Sequence, residues 1–176
     1  MEAERVLILG GARSGKSRLA LEMAQGTGAP VIFCATGVPT DAEMEERIRR
    51  HQRERPPGFT TVEVPYGLSP LFALELSGKV VLLDCVSFLV SNILLEENDE
   101  DRSYERIVGE FMELFARQEG EPFLLILVSN EVGMGVVPPF PLGRSFRDLL
   151  GRVNQWLAER ANRVYLVVAG IPWQLK

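Results

Sequence analysis

Short, continuous apolar runs recur along the chain and alternate with amphipathic stretches. Five runs are rich in β-branched and other apolar residues: 6–9, 31–34, 80–83, 124–128 and 164–168. Continuous runs of this length are typical of strands that are buried on both faces of a parallel sheet. A weaker run, 60–64, alternates polar and apolar residues and is a candidate for a sixth strand.

The stretches between these runs show helical spacing of apolar residues. They cover residues 17–25, 40–53, 86–95, 104–118 and 146–160. The second opens with Thr40 and Glu43 in a capping-box arrangement and should end before Pro56. Strands that alternate with helices predict right-handed βαβ units, so we expect an α/β fold with helices on both faces of a mostly parallel sheet. The acidic segment 96–101 is expected to be a solvated loop.

The composition excludes several classes of protein. The 176 residues fit a single domain, 1–176, and the net charge of −5 argues against a general nucleic-acid binder. Cys34 and Cys85 both lie in apolar stretches, which is typical of a reduced, cytoplasmic protein. No apolar run approaches the length of a membrane span, and the N-terminus lacks a signal-peptide pattern.

One segment carries a specific chemical signature. It matches G-x-x-x-x-G-K-[ST] at every fixed position and follows a predicted strand at the start of a predicted helix, as a phosphate-binding loop requires. Its residues are Gly10, Gly11, Ala12, Arg13, Ser14, Gly15, Lys16 and Ser17. Glycines let backbone N–H groups turn toward phosphate oxygens, where Lys16 is expected to reach the β- and γ-phosphates and Ser17 to bind Mg²⁺. The alternative, a glycine-rich turn without a ligand, does not explain this context.

Two further strand ends carry polar residues. Asp84 follows the run 80–83, where a carboxylate could support the metal ion or could simply be a turn residue. The segment 129–135, Ser-Asn-Glu-Val-Gly-Met-Gly, follows the run 124–128. Ligands of open α/β sheets bind at the carboxyl ends of strands, although a glycine turn with a helix cap also fits this segment.

His51 is the single histidine of the chain. It shares a predicted helical face with Met44 and Ile48, which by itself favours a histidine in or beside the core. Fixed cations beside an imidazole favour its neutral, nucleophilic form and bind polyphosphate oxygens. The chain is acidic overall, yet five arginines surround this position: Arg47, Arg49, Arg50, Arg53 and Arg55. A phosphohistidine or nucleotidyl-histidine intermediate is therefore chemically reasonable, and the spacing leaves both interpretations open.

Several motifs together resemble one enzyme family over essentially the whole chain. They are the loop 10–17, the segment Asp41-x-Glu43-Met44-x-x-Arg47-Ile48-x-x-His51, the segment 130–138, Phe146-Arg147-Asp148 and Gly151-Arg152-Val153-Asn154-Gln155. The loop is shared by many unrelated enzymes, but 130–135 and 151–155 are far more specific. The combination resembles the bifunctional adenosylcobinamide kinase/adenosylcobinamide-phosphate guanylyltransferases of cobalamin biosynthesis.

The resemblance implies a fold, an assembly and an activity. It implies a P-loop NTPase with a RecA-like sheet, in a homotrimer. It also implies that ATP or GTP phosphorylates adenosylcobinamide, after which GMP passes from GTP to adenosylcobinamide phosphate through a GMP–histidine intermediate at His51, with Lys16 as the second catalytic residue. The cofactors implied are GTP, ATP and Mg²⁺, and the partner is the corrinoid substrate.

The same resemblance assigns nucleotide contacts outside the loop 10–17. These fall on Thr36, Gly37, Val38, Gln52, Arg53, Glu54, Arg55, Glu63 and Asp84. Two other classes remain to be weighed. A simple small-molecule kinase, with a structural His51, would form no covalent enzyme intermediate. A nucleotide-dependent switch or assembly ATPase is disfavoured because the Asn-Lys-x-Asp guanine signature is missing.

Overall fold

The computed structural model of the chain describes residues 2–39, 42–53 and 56–176, and the side chains at 43, 44, 47 and 50–52 lie outside that description. The elements follow in this order: β1 (Glu4–Gly10), α1 (Lys16–Gly26), β2 (Val31–Ala35), α2 (Ala42–Arg53), β3 (Thr60–Glu63), a 3-10 helix (Ser69–Ala73), β4 (Val80–Asp84), α3 (Val86–Glu97), α4 (Glu100–Gly120), β5 (Leu124–Asn130), α5 (Pro141–Arg160), β6 (Arg163–Val168) and β7 (Ile171–Gln174).

These strands form a seven-stranded sheet with the order β3-β2-β4-β5-β1-β6-β7. Strands β1 to β6 run parallel, and β7 pairs antiparallel with β6. The six strands expected from the apolar runs are confirmed. From β1 the chain passes to β2 and β3 toward one edge of the sheet, whereas from β5, the neighbour of β1, it passes to β6 and β7 toward the other edge. The direction of the connections therefore reverses between β1 and β5. Ligands of open α/β sheets bind at the carboxyl ends of strands near such a reversal.

Helices cover both faces of the sheet, as the alternation of elements predicts. Side chains of α3, α4 and α5 form one core with residues such as Leu125 and Leu127 of β5. On the other face, Ile126 and Val128 pack in a second core with Ala20 of α1. Successive strand side chains point to opposite faces, so the parity of a residue decides which face it reaches.

The acidic segment 96–101 is not a loop, so this expectation is wrong. Glu96 and Glu97 end α3, whereas Glu100 and Asp101 form the first turn of α4. Asp99 lies between the helices and accepts a hydrogen bond from the backbone N–H of Arg102. Acidic side chains stabilise a helix N-terminus because its N–H groups carry a partial positive charge. The charge run therefore marks the start of a helix.

Other boundaries differ in detail. Helix α5 begins at Pro141, five residues before the predicted start, because proline is well suited to the first turn of a helix. The predicted cap at Thr40 and Asp41 lies outside the described residues, and α2 is described from Ala42 to Arg53. No helix within the described ranges is long and apolar enough to cross a membrane.

Candidate active site

The loop 10–17 joins β1 to α1 and places Lys16 in the first turn of the helix. Gly15 has a φ of 97° and Arg13 a φ of 55°, so the backbone turns through the left-handed region at two positions. The N–H of Ser14 donates to the carbonyl oxygen of Gly11, with 3.3 Å between N and O. The Lys16 ammonium donates to the same oxygen at 2.9 Å. The buried lysine side chain therefore folds back across the loop 10–17.

The turn between β6 and β7 packs against this loop. Ala169 and Gly170 both have positive φ values, of 51° and 82°, as two-residue hairpin turns require. The N–H of Gly170 donates to the carbonyl oxygen of Ser14 at 2.8 Å. A Cβ on Gly15 would lie only 3.2 Å from the Cα of Gly170. Strand β7 was not predicted, although a glycine between two apolar runs was a usable hairpin signal.

Space and polarity inside the loop fit a phosphate group. Within the described part of the chain, the Ser14 hydroxyl is the one buried side-chain oxygen or nitrogen without a hydrogen-bond partner. A Cβ on Gly11 would meet nothing within 4 Å. A buried hydroxyl in a glycine-lined turn is suited to bind an anion.

Replacement of Gly10 by alanine should destabilise the loop. The new Cβ would lie 2.4 Å from Ser14 Oγ and 2.7 Å from the carbonyl oxygen of Val167, so the loop must shift. We expect a loss of about 1–3 kcal/mol in the free energy of unfolding, seen as a drop of several degrees in Tm. Gly11→Ala is the matched control because its Cβ has open space. An equal drop in both variants would contradict the steric explanation.

Asp84 and Lys16 both lie within electrostatic reach of one buried thiol. Burial, and after it the charge of Asp84, raise the pKa of Cys85 to about 11, against an opposing effect of the charge of Lys16. Asp84 ends β4 with the parity of Leu82, which packs on the α1 face. The carboxylate therefore belongs to the same face of the sheet as the loop and α1.

Glu63 lies farther along the same edge. It ends β3 in register with Ala35, which in turn is in register with Asp84. Two strand spacings separate Glu63 from Asp84, or about 10 Å between backbones. Glu63 is exposed, so its position suits a contact with an outer part of a nucleotide rather than with the phosphates.

Thr36, assigned above as a nucleotide contact, is fully buried. Its hydroxyl donates to the carbonyl oxygen of Cys85 and accepts from the N–H of Cys85, both at 2.8 Å. The Thr36 carbonyl oxygen accepts from Asn92 of α3 at 2.9 Å. Its side chain thus joins the end of β2 to the start of α3.

Thr36→Val should lower stability more than nucleotide affinity. Valine fills the same space but leaves the N–H and carbonyl oxygen of Cys85 without the hydroxyl. We expect a loss of about 2–3 kcal/mol by urea unfolding, because unsatisfied buried groups keep their desolvation cost. Thr36→Ser retains the hydroxyl and is the control. A large rise in nucleotide Kd at unchanged stability would instead indicate direct contact.

Helix α2 carries the remaining predicted residues. The side chain of Ile48 packs over Gly37, where an added Cβ would lie 3.4 Å from two of its carbons. His51 follows Ile48 by three residues in the same helix. Gly37 and Val38, at the end of β2, are half-buried. The side chain of His51 itself lies outside the described residues.

The arginine cluster around His51 is described only in part. Arg49 pairs with Glu45 at 2.5 Å, and Arg53, which the resemblance assigns to the nucleotide, pairs with Glu46 at 3.1 Å. Both guanidinium groups are largely exposed, and such pairs are easily exchanged for a phosphate. The remaining predicted positions lie outside the described residues, wholly or in their side chains: Arg47, Arg50, Gln52, Glu54 and Arg55.

The described residues contain no cluster of three or more histidine, cysteine or acidic side chains that could hold a metal ion. Ser17, in the first turn of α1, and Asp84 are the predicted metal ligands. Mg²⁺ commonly binds through one or two protein groups, with phosphate oxygens and water completing its shell. The donor set therefore fits a magnesium–nucleotide complex rather than a metal held by protein alone.

A buried polar network fixes the end of β5. Ser129 Oγ donates to Asn154 Oδ1 at 2.7 Å, and Asn154 Nδ2 donates to the carbonyl oxygen of Asn130 at 3.0 Å. The N–H of Asn130 donates to Ser87 Oγ at 2.7 Å. The N–H of Glu131 donates to the carbonyl oxygen of Gly10 at 3.0 Å. Two motifs distant in sequence, 129–135 and 151–155, thus meet beside the loop, and spacing alone gave no sign of it.

Comparisons with known proteins show the family of the chain. The chain matches the family model CobU, described as cobinamide kinase / cobinamide phosphate guanyltransferase, over residues 6–175. It is 42% identical over 180 residues to the bifunctional adenosylcobalamin biosynthesis protein CobU of Escherichia coli strain K12, covering 97% of this chain and 99% of that protein.

Two further relatives have similar coverage. The bifunctional adenosylcobalamin biosynthesis protein CobP of Pseudomonas aeruginosa is 42% identical over 173 residues, covering 98% of this chain and 97% of that protein. The CobU protein of Salmonella typhimurium is 41% identical over 180 residues, covering 97% and 99%. The similarity therefore extends over the whole sheet and all the motifs described above.

Proposed function

The chain belongs to the CobU family of cobinamide kinases / cobinamide phosphate guanyltransferases, and from this premise we propose that one domain, residues 1–176, performs both reactions. It phosphorylates adenosylcobinamide with ATP or GTP, and it then transfers GMP from GTP to adenosylcobinamide phosphate, giving adenosylcobinamide-GDP. The loop 10–17 supports this proposal most directly, because its backbone, Ser14 hydroxyl and Lys16 form a phosphate-binding turn.

In the kinase step, the corrinoid hydroxyl oxygen bonds to the γ-phosphorus while the bond to the bridging oxygen breaks. The backbone N–H groups of the loop position the phosphates, and the Lys16 ammonium neutralises their charge. Lys16 leaves its hydrogen bond with the Gly11 carbonyl for a phosphate oxygen. Mg²⁺, held by Ser17 and Asp84 together with the nucleotide, would supply further neutralisation.

In the guanylyltransferase step, an imidazole nitrogen of His51 attacks the α-phosphorus of GTP and pyrophosphate leaves. The phosphate of adenosylcobinamide phosphate then attacks the histidine-bound GMP and regenerates His51. Two displacements replace one that is more difficult. The packing of Ile48 on Gly37 supports this role, because it places α2 beside the carboxyl end of β2.

The test uses purified protein with Mg²⁺ and GTP labelled at either the α- or the γ-phosphate. We expect α-label that stays with the denatured protein, is lost in acid and is released as adenosylcobinamide-GDP when adenosylcobinamide phosphate is added. We also expect γ-label to reach adenosylcobinamide. Transfer of γ-label without any protein-bound α-label would replace this proposal with a plain small-molecule kinase.

We also propose a homotrimer located in the cytoplasm. The hairpin β6–β7 exposes several large apolar side chains, which are typical of a surface that another subunit covers: Val168, Ile171, Trp173 and Leu175. A groove between subunits would also suit a bulky, largely apolar corrinoid better than the cleft of one small domain. Light scattering after size-exclusion chromatography should give three times the chain mass, and a fully active monomer would contradict the proposal.

A further inference from the structure

Asn130 ends β5, the strand that lies between β1 and β4 in the sheet. It is in register with Gly10, where the phosphate-binding loop begins. On the other side of β5, Asp84 is in register with Val128, one pleat before Asn130. Asn130 thus occupies the strand end between the loop and the carboxylate that are proposed to hold the nucleotide phosphates and Mg²⁺.

The backbone of Asn130 is held on both sides by buried side chains. Its N–H donates to Ser87 Oγ, and its carbonyl oxygen accepts from Asn154 Nδ2. Ser87 is 3% exposed and Asn154 is 7% exposed, so these hydrogen bonds are protected from water. Because neighbouring polar groups fix its main chain, the direction of the Asn130 Cα–Cβ bond is fixed as well.

That direction is toward the loop. Leu124, Ile126 and Val128 of β5 all pack in the core on the α1 face, whereas Leu125 and Leu127 pack on the opposite face. The period of two along a strand places the side chain of Asn130 on the α1 face. The Lys16 ammonium lies on that same face, and the position of Asp84 in β4 places its side chain there as well.

The carboxamide makes no hydrogen bond to any other described residue, although both backbone groups of Asn130 do. It is half-buried at the edge of the sheet. A structural role would therefore be carried by the backbone alone. The side chain retains two N–H donors and an acceptor directed at the region where the terminal phosphates would lie.

We propose that Asn130 is a catalytic residue of the kinase step, in which its Nδ2–H group donates to an oxygen of the γ-phosphoryl group during transfer. The inference rests on the proposed function. The corrinoid hydroxyl oxygen forms the new bond to phosphorus, the bond from phosphorus to the bridging oxygen breaks with its electron pair leaving on ADP, and the hydroxyl proton passes to solvent. Asn130 neither gains nor loses a proton. The hydrogen bond that its Nδ2–H group donates becomes stronger as negative charge shifts between the phosphoryl oxygens.

The effect should be largest at the γ-phosphate. The lysine of a phosphate-binding loop reaches the β- and γ-phosphates, and Ser17 and Asp84 would hold a metal ion that neutralises charge at this end of the triphosphate. A side chain between Lys16 and Asp84 therefore faces the end of the triphosphate. The guanylyltransferase step reacts at the α-phosphate. The rates of the two reactions therefore report separately on the role of Asn130.

The variants Asn130→Ala and Asn130→Asp test the proposal. Loss of one positioned donor should lower kcat of the kinase step on the order of 100-fold, with less than about a 3-fold change in KM for ATP. The aspartate should be no better than the alanine, because a carboxylate cannot donate and repels phosphate. Formation of protein-bound GMP should fall by less than about 10-fold, and Tm should stay within about 2 °C of the wild type.

Asn154→Ala is the structural comparison, since it removes the group that holds the Asn130 carbonyl. It should lower Tm and both activities together. The inference is overturned if the Asn130 variants behave like Asn154→Ala, if Asn130→Asp keeps wild-type activity, or if kinase kcat changes by less than 3-fold. If the wild type itself transfers no γ-phosphoryl group, the proposed function fails first; unaffected variants of an active kinase reject only the role of Asn130.

Discussion

His51→Ala is expected to abolish GMP transfer while leaving kinase activity largely intact. Without the imidazole, the α-phosphorus of GTP has no enzyme nucleophile, and removal of a nucleophile commonly costs on the order of 10⁴-fold or more in kcat. The γ-phosphoryl group passes directly to the corrinoid hydroxyl, so kinase kcat should change by less than about 10-fold. The measurement is α-label retained by denatured protein, beside the rate of adenosylcobinamide phosphate formation.

Glu45→Ala is a suitable control for this variant. Glu45 lies in the same helix and pairs with Arg49 at the surface, where an exposed ion pair is worth at most about 1 kcal/mol. It should keep the protein-bound label, which shows that a change in α2 alone does not remove it. Acid-labile α-label at the wild-type level in His51→Ala would place the covalent attachment on another residue and restore a structural role to the histidine.

The sheet was predictable because its strands carry the signal themselves. Runs such as 80–83 are buried on both faces, so an uninterrupted apolar pattern identifies a parallel strand without knowledge of its neighbours. The loop 10–17 was predictable for a similar reason, since its turn depends on local glycine geometry. Both features depend on interactions between residues that are close together in the chain, and for this reason both could be predicted from the sequence.

The supports of the site depend instead on distant partners. Gly170 holds Ser14, and Thr36 holds Cys85, through hydrogen bonds between segments that no spacing rule connects. A buried threonine and a threonine at a nucleotide look alike in a sequence, because both follow a strand. The acidic segment 96–101 shows the converse error: its charges stabilise the start of α4, which the charge pattern alone does not reveal.

Lys16→Ala is expected to remove both activities together, unlike His51→Ala. Lys16 is 8% exposed and its ammonium lies across the loop on the Gly11 carbonyl oxygen, so a phosphate would meet it with little intervening water. A charge in such a site stabilises the transferring group far more than a solvated one does. We expect kcat/KM to fall on the order of 10³-fold or more for γ-phosphoryl transfer and for protein-bound GMP formation alike. Lys16→Arg should not restore either reaction, because the planar guanidinium does not fit the place of a compact ammonium.

Lys79→Ala supplies the matched control, since the Lys79 ammonium also donates to a backbone carbonyl, that of Glu75, but at the amino end of β4. It should retain both activities and shows what the loss of a lysine–carbonyl hydrogen bond does by itself. Loss of the kinase step alone in Lys16→Ala would mean that the two reactions bind their triphosphates differently. Equal loss of both reactions, with His51→Ala affecting only one, would establish one phosphate-binding loop that serves two separate chemical centres, the γ-phosphorus and the α-phosphorus.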